Sequence, residues 1–135
     1  MKNLLFICGP NGIGKTTICK EIVRMLPNSA YVDSDLCRLM NLFILNDETI
    51  PTIAKNISDL LINCMDCTVI ETVIFSYGFH GRRREVFEIV MKAVSEYEEG
   101  SILIRFLKAS RSRVKVLQDI IWRKGPRRSY LSFIC

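Results

Sequence analysis

Histidine is almost absent from this 135-residue chain, His80 being the single example, and no run approaches the roughly 18 consecutive apolar residues needed to cross a bilayer. A histidine-built metal centre therefore has no ligand set to draw on, and membrane insertion is not expected. A second CxxC is also missing. Cys64 and Cys67 form one such pair, but with neither a partner pair nor further histidines it does not complete a zinc site. The six cysteines (Cys8, Cys19, Cys37, Cys64, Cys67 and Cys135) are scattered through apolar segments, as suits reduced thiols rather than a secreted disulfide framework. The apolar run from Met1 to Cys8 lacks a basic leader and a small-residue cleavage site, so it reads as a strand, and the expected address is the cytosol.

Acid is scarce towards the end of the chain. From Arg105 to Arg128 nine basic residues face the lone Asp119, an excess of eight positive charges in a chain whose net charge is +5. Such a concentration attracts phosphates, of a nucleotide or of a nucleic acid; the alternative is a solvated helix face.

What is present is an alternation of apolar runs and helix-period segments, with no internal repeat or linker, so a single domain over residues 1–135 is expected. Leu4 to Cys8 is all apolar and ends at Gly9, as for a central parallel strand covered on both faces. Lys15 to Leu26 places Ile18, Ile22, Val23 and Leu26 on one helical face and stops at Pro27. Ala30 to Asp33 is a second strand, with a helical stretch from near Leu36. From Pro51, the residues Ile53, Ile57, Leu60, Leu61 and Cys64 recur at helical spacing. Thr68 to Phe75 is β-branched and reads as a third strand, Arg82 to Glu99 as a helix ended by Gly100, and Ser101 to Leu107 as a fourth strand. Arg111 to Lys124 reads as a basic helix, and Ser129 to Cys135 as a short last strand. Strands alternating with helices imply an α/β fold, with a mainly parallel sheet and helices on both faces. Ligands of such sheets lie at the carboxyl ends of the strands.

Gly9, Pro10, Asn11, Gly12, Ile13, Gly14, Lys15 and Thr16 satisfy GxxxxGK[ST] between a strand and a helix, the context a P-loop requires. Glycines let the backbone curl around an oxyanion so that successive N–H groups and the helix N-terminus point at phosphates. Lys15 then supplies charge at the β and γ phosphates and the Thr16 hydroxyl is a ligand for Mg²⁺, with Thr17 beside it. The absence of an NKxD motif disfavours GTP, and the absence of an LSGGQ-like signature in so short a chain disfavours a transporter-type ATPase. The expected ligands are ATP and Mg²⁺.

Three carboxylates accompany the loop. Asp33 and Asp35 stand at i and i+2 at the end of the second strand, which in extended geometry turns both to one side, one for the metal and one for a substrate hydroxyl. The alternative is that Asp33 caps the following turn. Glu71 interrupts an apolar strand, either partnered by Lys15, a metal-bound water or an arginine, or on the outward face of an edge strand. Arg82, Arg83 and Arg84 open a helix, where they either hold an anionic substrate or are solvated.

Taken together, GPNGIGKTT, YVDSD, TVIETVIF, the basic helix start and ILIRFLKAS resemble the small P-loop kinases, the superfamily of shikimate, gluconate and nucleoside or nucleotide kinases and of the chloramphenicol phosphotransferase type. The resemblance covers residues 1 to about 110. It implies a three-layer α/β/α P-loop fold with four to five strands and transfer of the ATP γ-phosphate to a small hydroxylated or nucleotide acceptor. By the same resemblance Lys15 and Thr16 serve the triphosphate and Mg²⁺, Asp33 is a metal-side or acceptor-side acid, Asp35 faces the substrate, and Glu71 takes an end-of-strand acidic position on the metal side. Arg123 or Arg127 would be a lid arginine, while Asp119 stands where such lids carry another arginine. After about residue 110 the chain departs from the family, leaving no room for an adenine loop and final helix. Two further readings follow, an ATP-binding module without catalysis and a kinase or binding protein for polynucleotide ends.

Overall fold

Leu4, Leu5, Phe6, Ile7 and Cys8 are all buried, so the first strand, β1 (Lys2–Cys8), has no solvent face beyond its half-buried first two residues. That placement follows in a computed structural model, which describes residues 2–41, 44–97 and 102–109. After β1 come α1 (Lys15–Met25), β2 (Ser29–Asp33), a 3₁₀ turn (Leu36–Arg38), α2 (Thr49–Asp66), β3 (Thr72–Tyr77), α3 (Arg83–Tyr97) and β4 (Ile102–Lys108). The four strands are parallel in the order β2-β3-β1-β4. The expected helix over 111–124 and the last strand over 129–135 lie outside the described residues.

Period-two alternation divides the core into two layers. Leu4, Phe6 and Cys8 of β1 join Val73, Phe75 and Tyr77 of β3 beneath α2 and α3. Leu5, Ile7 and Ile74 face the other way, onto Ile18, Cys19 and Ile22 of α1. This is the α/β/α sandwich, and it gathers every strand's carboxyl end along one edge of the sheet. No helix among the described residues is long and apolar enough to cross a membrane.

Phe6 is the pivot of the larger layer. Its ring meets Phe75 edge-on at 5.2 Å, Phe87 at 5.4 Å and stacks on Phe106 at 5.0 Å, so three elements besides β1 depend on it. It has no exposed surface. Phe6→Ala is expected to cost about 3–5 kcal/mol in chemical denaturation, because the rings around the void belong to two strands and a helix that cannot collapse into it.

Helix α2 starts where Asn46 and Thr49 cap each other. Asn46 Oδ1 accepts from the Thr49 backbone N–H at 2.8 Å, and Thr49 Oγ1 accepts from that of Asn46 at 3.0 Å. Pro51 sits in the first turn, where its missing N–H costs nothing. β3 begins at Thr72 rather than at Thr68, since residues 67–70 form a turn closed by the Ile70 N–H on the Cys67 carbonyl at 3.1 Å.

Candidate functional site

The loop from Gly9 to Gly14 leaves the end of β1 and enters α1 through left-handed backbone, with φ of 78° at Gly12 and 93° at Gly14. A side chain is strained at both, so glycine is required for the curl. Helix α1 starts at Lys15 with no side-chain cap. Its first N–H groups are therefore open to an anion at the positive end of the helix dipole. Lys15 Nζ folds back to donate to the Gly9 and Pro10 carbonyls, at 2.9 Å each. Burial lowers its pKa below the ordinary lysine value; Asp35 opposes that shift and Arg83 reinforces it.

Beside the loop opens a cleft of about 420 Å³, floored by Ser76, Tyr77 and Gly78 at the end of β3 and walled by Lys15, Asp35, Arg38 and Arg83. Its charge is lopsided, with three cations against one carboxylate. Asp35 forms an ion pair with Arg38, the acid staying 68% exposed while the arginine is only 13% exposed. Burial lowers the Arg83 pKa, and the Arg38 guanidinium adds to the effect, so two positive groups share one small space. The Tyr77 phenol donates to the Arg83 carbonyl at 2.6 Å, which holds the start of α3 against the cleft floor. Burial pushes that phenol up to about 12.

A second polar group lies under α1. The Tyr31 hydroxyl is 2.8 Å from Ser76 Oγ, and Thr16 stands near enough to lower the phenol's pKa against the larger, upward effect of burial. Asp33, two residues on from Tyr31 in the same strand, stands near enough to raise the pKa of both Tyr31 and the buried Cys19. Thr16, Ser76, Tyr31 and Asp33 offer hard oxygen donors, the kind a Mg²⁺ ion accepts directly or through water. Among the described residues no cluster of three or more His, Cys, Asp or Glu side chains forms a metal cage, so this set suits a cation held largely by phosphates and water.

Each sequence-based candidate among the described residues has a definite place. The residues Gly9, Pro10, Asn11, Gly12, Ile13, Gly14, Lys15, Thr16 and Thr17 form the loop and the first turn of α1. Asp33 and Asp35 do not point to the same side. The strand ends at Asp33, whose Oδ1 accepts from the Asp35 N–H at 2.9 Å, and Asp35 has helical backbone, so the extended-strand rule stops applying between them. Asp33 caps the turn on the α1 side and Asp35 lines the cleft. Glu71 corrects a further expectation. It precedes β3, level with Asn3, and is exposed with Asn28 Nδ2 donating to it at 3.1 Å. A six-residue strand, roughly 20 Å, separates it from the loop, so it reaches neither Lys15 nor a metal beside Thr16. Of the three arginines, Arg83 alone enters the cleft, and Arg82 pairs with Asp47 and Glu85 at the surface. Arg123 lies outside the described residues, as do Asp119 and Arg127.

Arg38, Tyr31, Ser76 and Gly78 were not singled out from sequence. Arg38 had a local signal, three residues after Asp35 at helical spacing, and Ser76 was the polar residue near the end of an apolar strand. Tyr31 and Gly78 had none.

No protein-family model matches the chain, and no curated protein matches it in sequence. Solved structures do match. A structure of the Pnkp1/Rnl/Hen1 complex superposes with a TM-score of 0.59 at 17% identity over 97% of this chain and 42% of that one. An unliganded sugar kinase from Janibacter sp. HTCC2649 gives a TM-score of 0.59 at 13% identity over 90% of this chain and 93% of that one. The Pnkp1/Rnl/Hen1 RNA repair complex gives 0.57 at 21% identity over 94% and 40%. The chain thus spans about two fifths of the Pnkp1/Rnl/Hen1 chains it matches, with 42% and 40% covered. At such identities the likeness is one of fold alone, a parallel α/β sheet with helices on both faces.

Proposed function

We propose that this chain transfers the γ-phosphate of ATP to a hydroxyl of an acceptor that carries an anionic group of its own. The observation that carries the reading is that the P-loop lysine and Asp35 line one cleft, so a phosphoryl donor and a proton acceptor face the same space. The loop amides and Lys15 hold the β and γ phosphates. Thr16, with Ser76 and Asp33 close by, would hold Mg²⁺, which would supply charge that offsets that of the phosphate oxygens. Asp35 orients the acceptor hydroxyl and takes its proton as the oxygen attacks phosphorus, while ADP leaves. Arg83, together with Arg38 beside its partner Asp35, gives the cleft the positive charge that suits the acceptor's anion and the charge spreading over the transferred group.

A polynucleotide end is the second reading, since it presents a hydroxyl close to a phosphate, and a likeness in fold to a chain of an RNA repair complex makes it worth testing. The experiment is a thermal-midpoint titration with Mg-ATP, followed by ADP release with sugars, nucleosides, nucleotides and 5′-hydroxyl oligonucleotides. A saturable upward shift with acceptor-dependent ADP release is expected. A shift without turnover for any acceptor would leave only an ATP-binding module, and no shift would reject the nucleotide site.

A further inference from the structure

The chain's single histidine lies beside the cleft rather than in it, with its ring turned to the P-loop. His80 Nε2 is 2.9 Å from Asn11 Oδ1, a contact between residues 69 apart in sequence. An amide oxygen only accepts, so the imidazole Nε2–H is the donor. The two residues belong to different loops: Asn11 to the crown of the P-loop, His80 to the connection between β3 and α3. That connection also carries Arg83. The Arg83 N–H donates to the His80 carbonyl at 3.1 Å, and the His80 N–H to the Gly78 carbonyl at 3.2 Å. Gly78 marks where the parts converge, because a Cβ built there would lie 3.2 Å from His80 Nε2, 3.5 Å from Arg83 Nη1 and 3.6 Å from Asn11 Oδ1.

We propose that His80 is a positioning residue that clasps the P-loop crown to the β3–α3 connection, so that filling the nucleotide site sets the place of Arg83 in the acceptor cleft. The route is short and continuous, running from Asn11 through the imidazole to the His80 carbonyl, and from there to the Arg83 amide. Its strength suits a bias rather than a support. An exposed neutral hydrogen bond is worth about twofold to tenfold in an equilibrium, too little to hold the fold and enough to shift a loop. The inference rests on the nucleotide-binding reading.

Hydrogen exchange of the full chain, with and without saturating Mg-ADP, tests it in the parent, His80→Ala and His80→Gln. In the parent, Mg-ADP is expected to slow exchange both in residues 10–17 and in residues 78–84. In His80→Ala the first protection stays while the second falls by about threefold to tenfold. In His80→Gln, whose amide N–H reaches the same oxygen, the second returns. Equal protection of 78–84 in His80→Ala and the parent would overturn the clasp, and so would failure of His80→Gln to restore it. Faster exchange spreading into β1 and β3 of His80→Ala would make the residue merely structural and overturn it too. No protection of 10–17 in the parent would instead reject the nucleotide reading, and the coupling with it.

Discussion

On the proposed function, Lys15→Ala is expected to lower the affinity for Mg-ATP by about two orders of magnitude and to abolish phosphoryl transfer, with little change in the unfolding midpoint. The side chain now donates to two carbonyls of its own loop, the Gly9 oxygen partly buried and the Pro10 oxygen exposed. Water replaces the ammonium at such oxygens at small cost, so the fold loses little. Binding exchanges those acceptors for phosphate oxygens, and charge-assisted bonds of about 1.5–3 kcal/mol each, less what the carbonyls gave up, leave a factor of about 100. Transfer suffers further because the same charge opposes the negative charge on the phosphates during the reaction, a contribution of about 10²–10³ in turnover when one such donor is removed. The linkage has a sign. Burial holds the Lys15 pKa below the ordinary value, so as pH rises its charge is lost earlier than that of an exposed lysine. Affinity for Mg-ATP should therefore decline on the alkaline side in the parent and stay flat there in Lys15→Ala. Calorimetric titration across pH reads both effects, and an unchanged affinity in the variant would remove Lys15 from the phosphate site.

The glycine loop between β1 and α1 was legible because its signal is local. Eight consecutive residues supply the glycines, the lysine and the hydroxyl, and the all-apolar run Leu4 to Cys8 before them and the helical period after them fix their context. The cleft beside the loop was less legible because it is assembled from separate elements. Arg38 follows β2, Tyr77 closes β3 and Arg83 opens α3, and only the strand order β2-β3-β1 places these ends side by side. Glu71 misled for a related reason. The residues Thr68 to Ile70 share the β-branched composition of the strand after them, so composition ran the strand through a turn and moved the glutamate inside it. Asp33 and Asp35 show the complementary error, since alternation along a strand holds only while the strand continues, and this one stops at Asp33.

Asp35→Asn, by contrast, should leave Mg-ATP affinity unchanged or slightly raised while turnover falls by about 10²–10⁴, the range for losing a positioned general base. Asparagine keeps the shape and can still accept from Arg38, so the ion pair gives way to a neutral hydrogen bond without a void. The lost negative charge leaves Lys15, Arg38 and Arg83 unopposed in the cleft, which favours an anionic ligand and fixes the sign of the affinity change. A carboxylate that merely tethered Arg38 would behave differently. Its loss would act through the arginine's position, raising the KM of the acceptor, and Arg38→Gln would reproduce it. The base reading requires the Asp35→Asn deficit to lie in kcat, at saturating ATP and acceptor, with the acceptor KM nearly preserved. Steady-state kinetics on the two variants separates the cases: a deficit in KM shared by both would reduce Asp35 to the partner of Arg38, and one confined to kcat in Asp35→Asn would make it the group that takes the acceptor's proton.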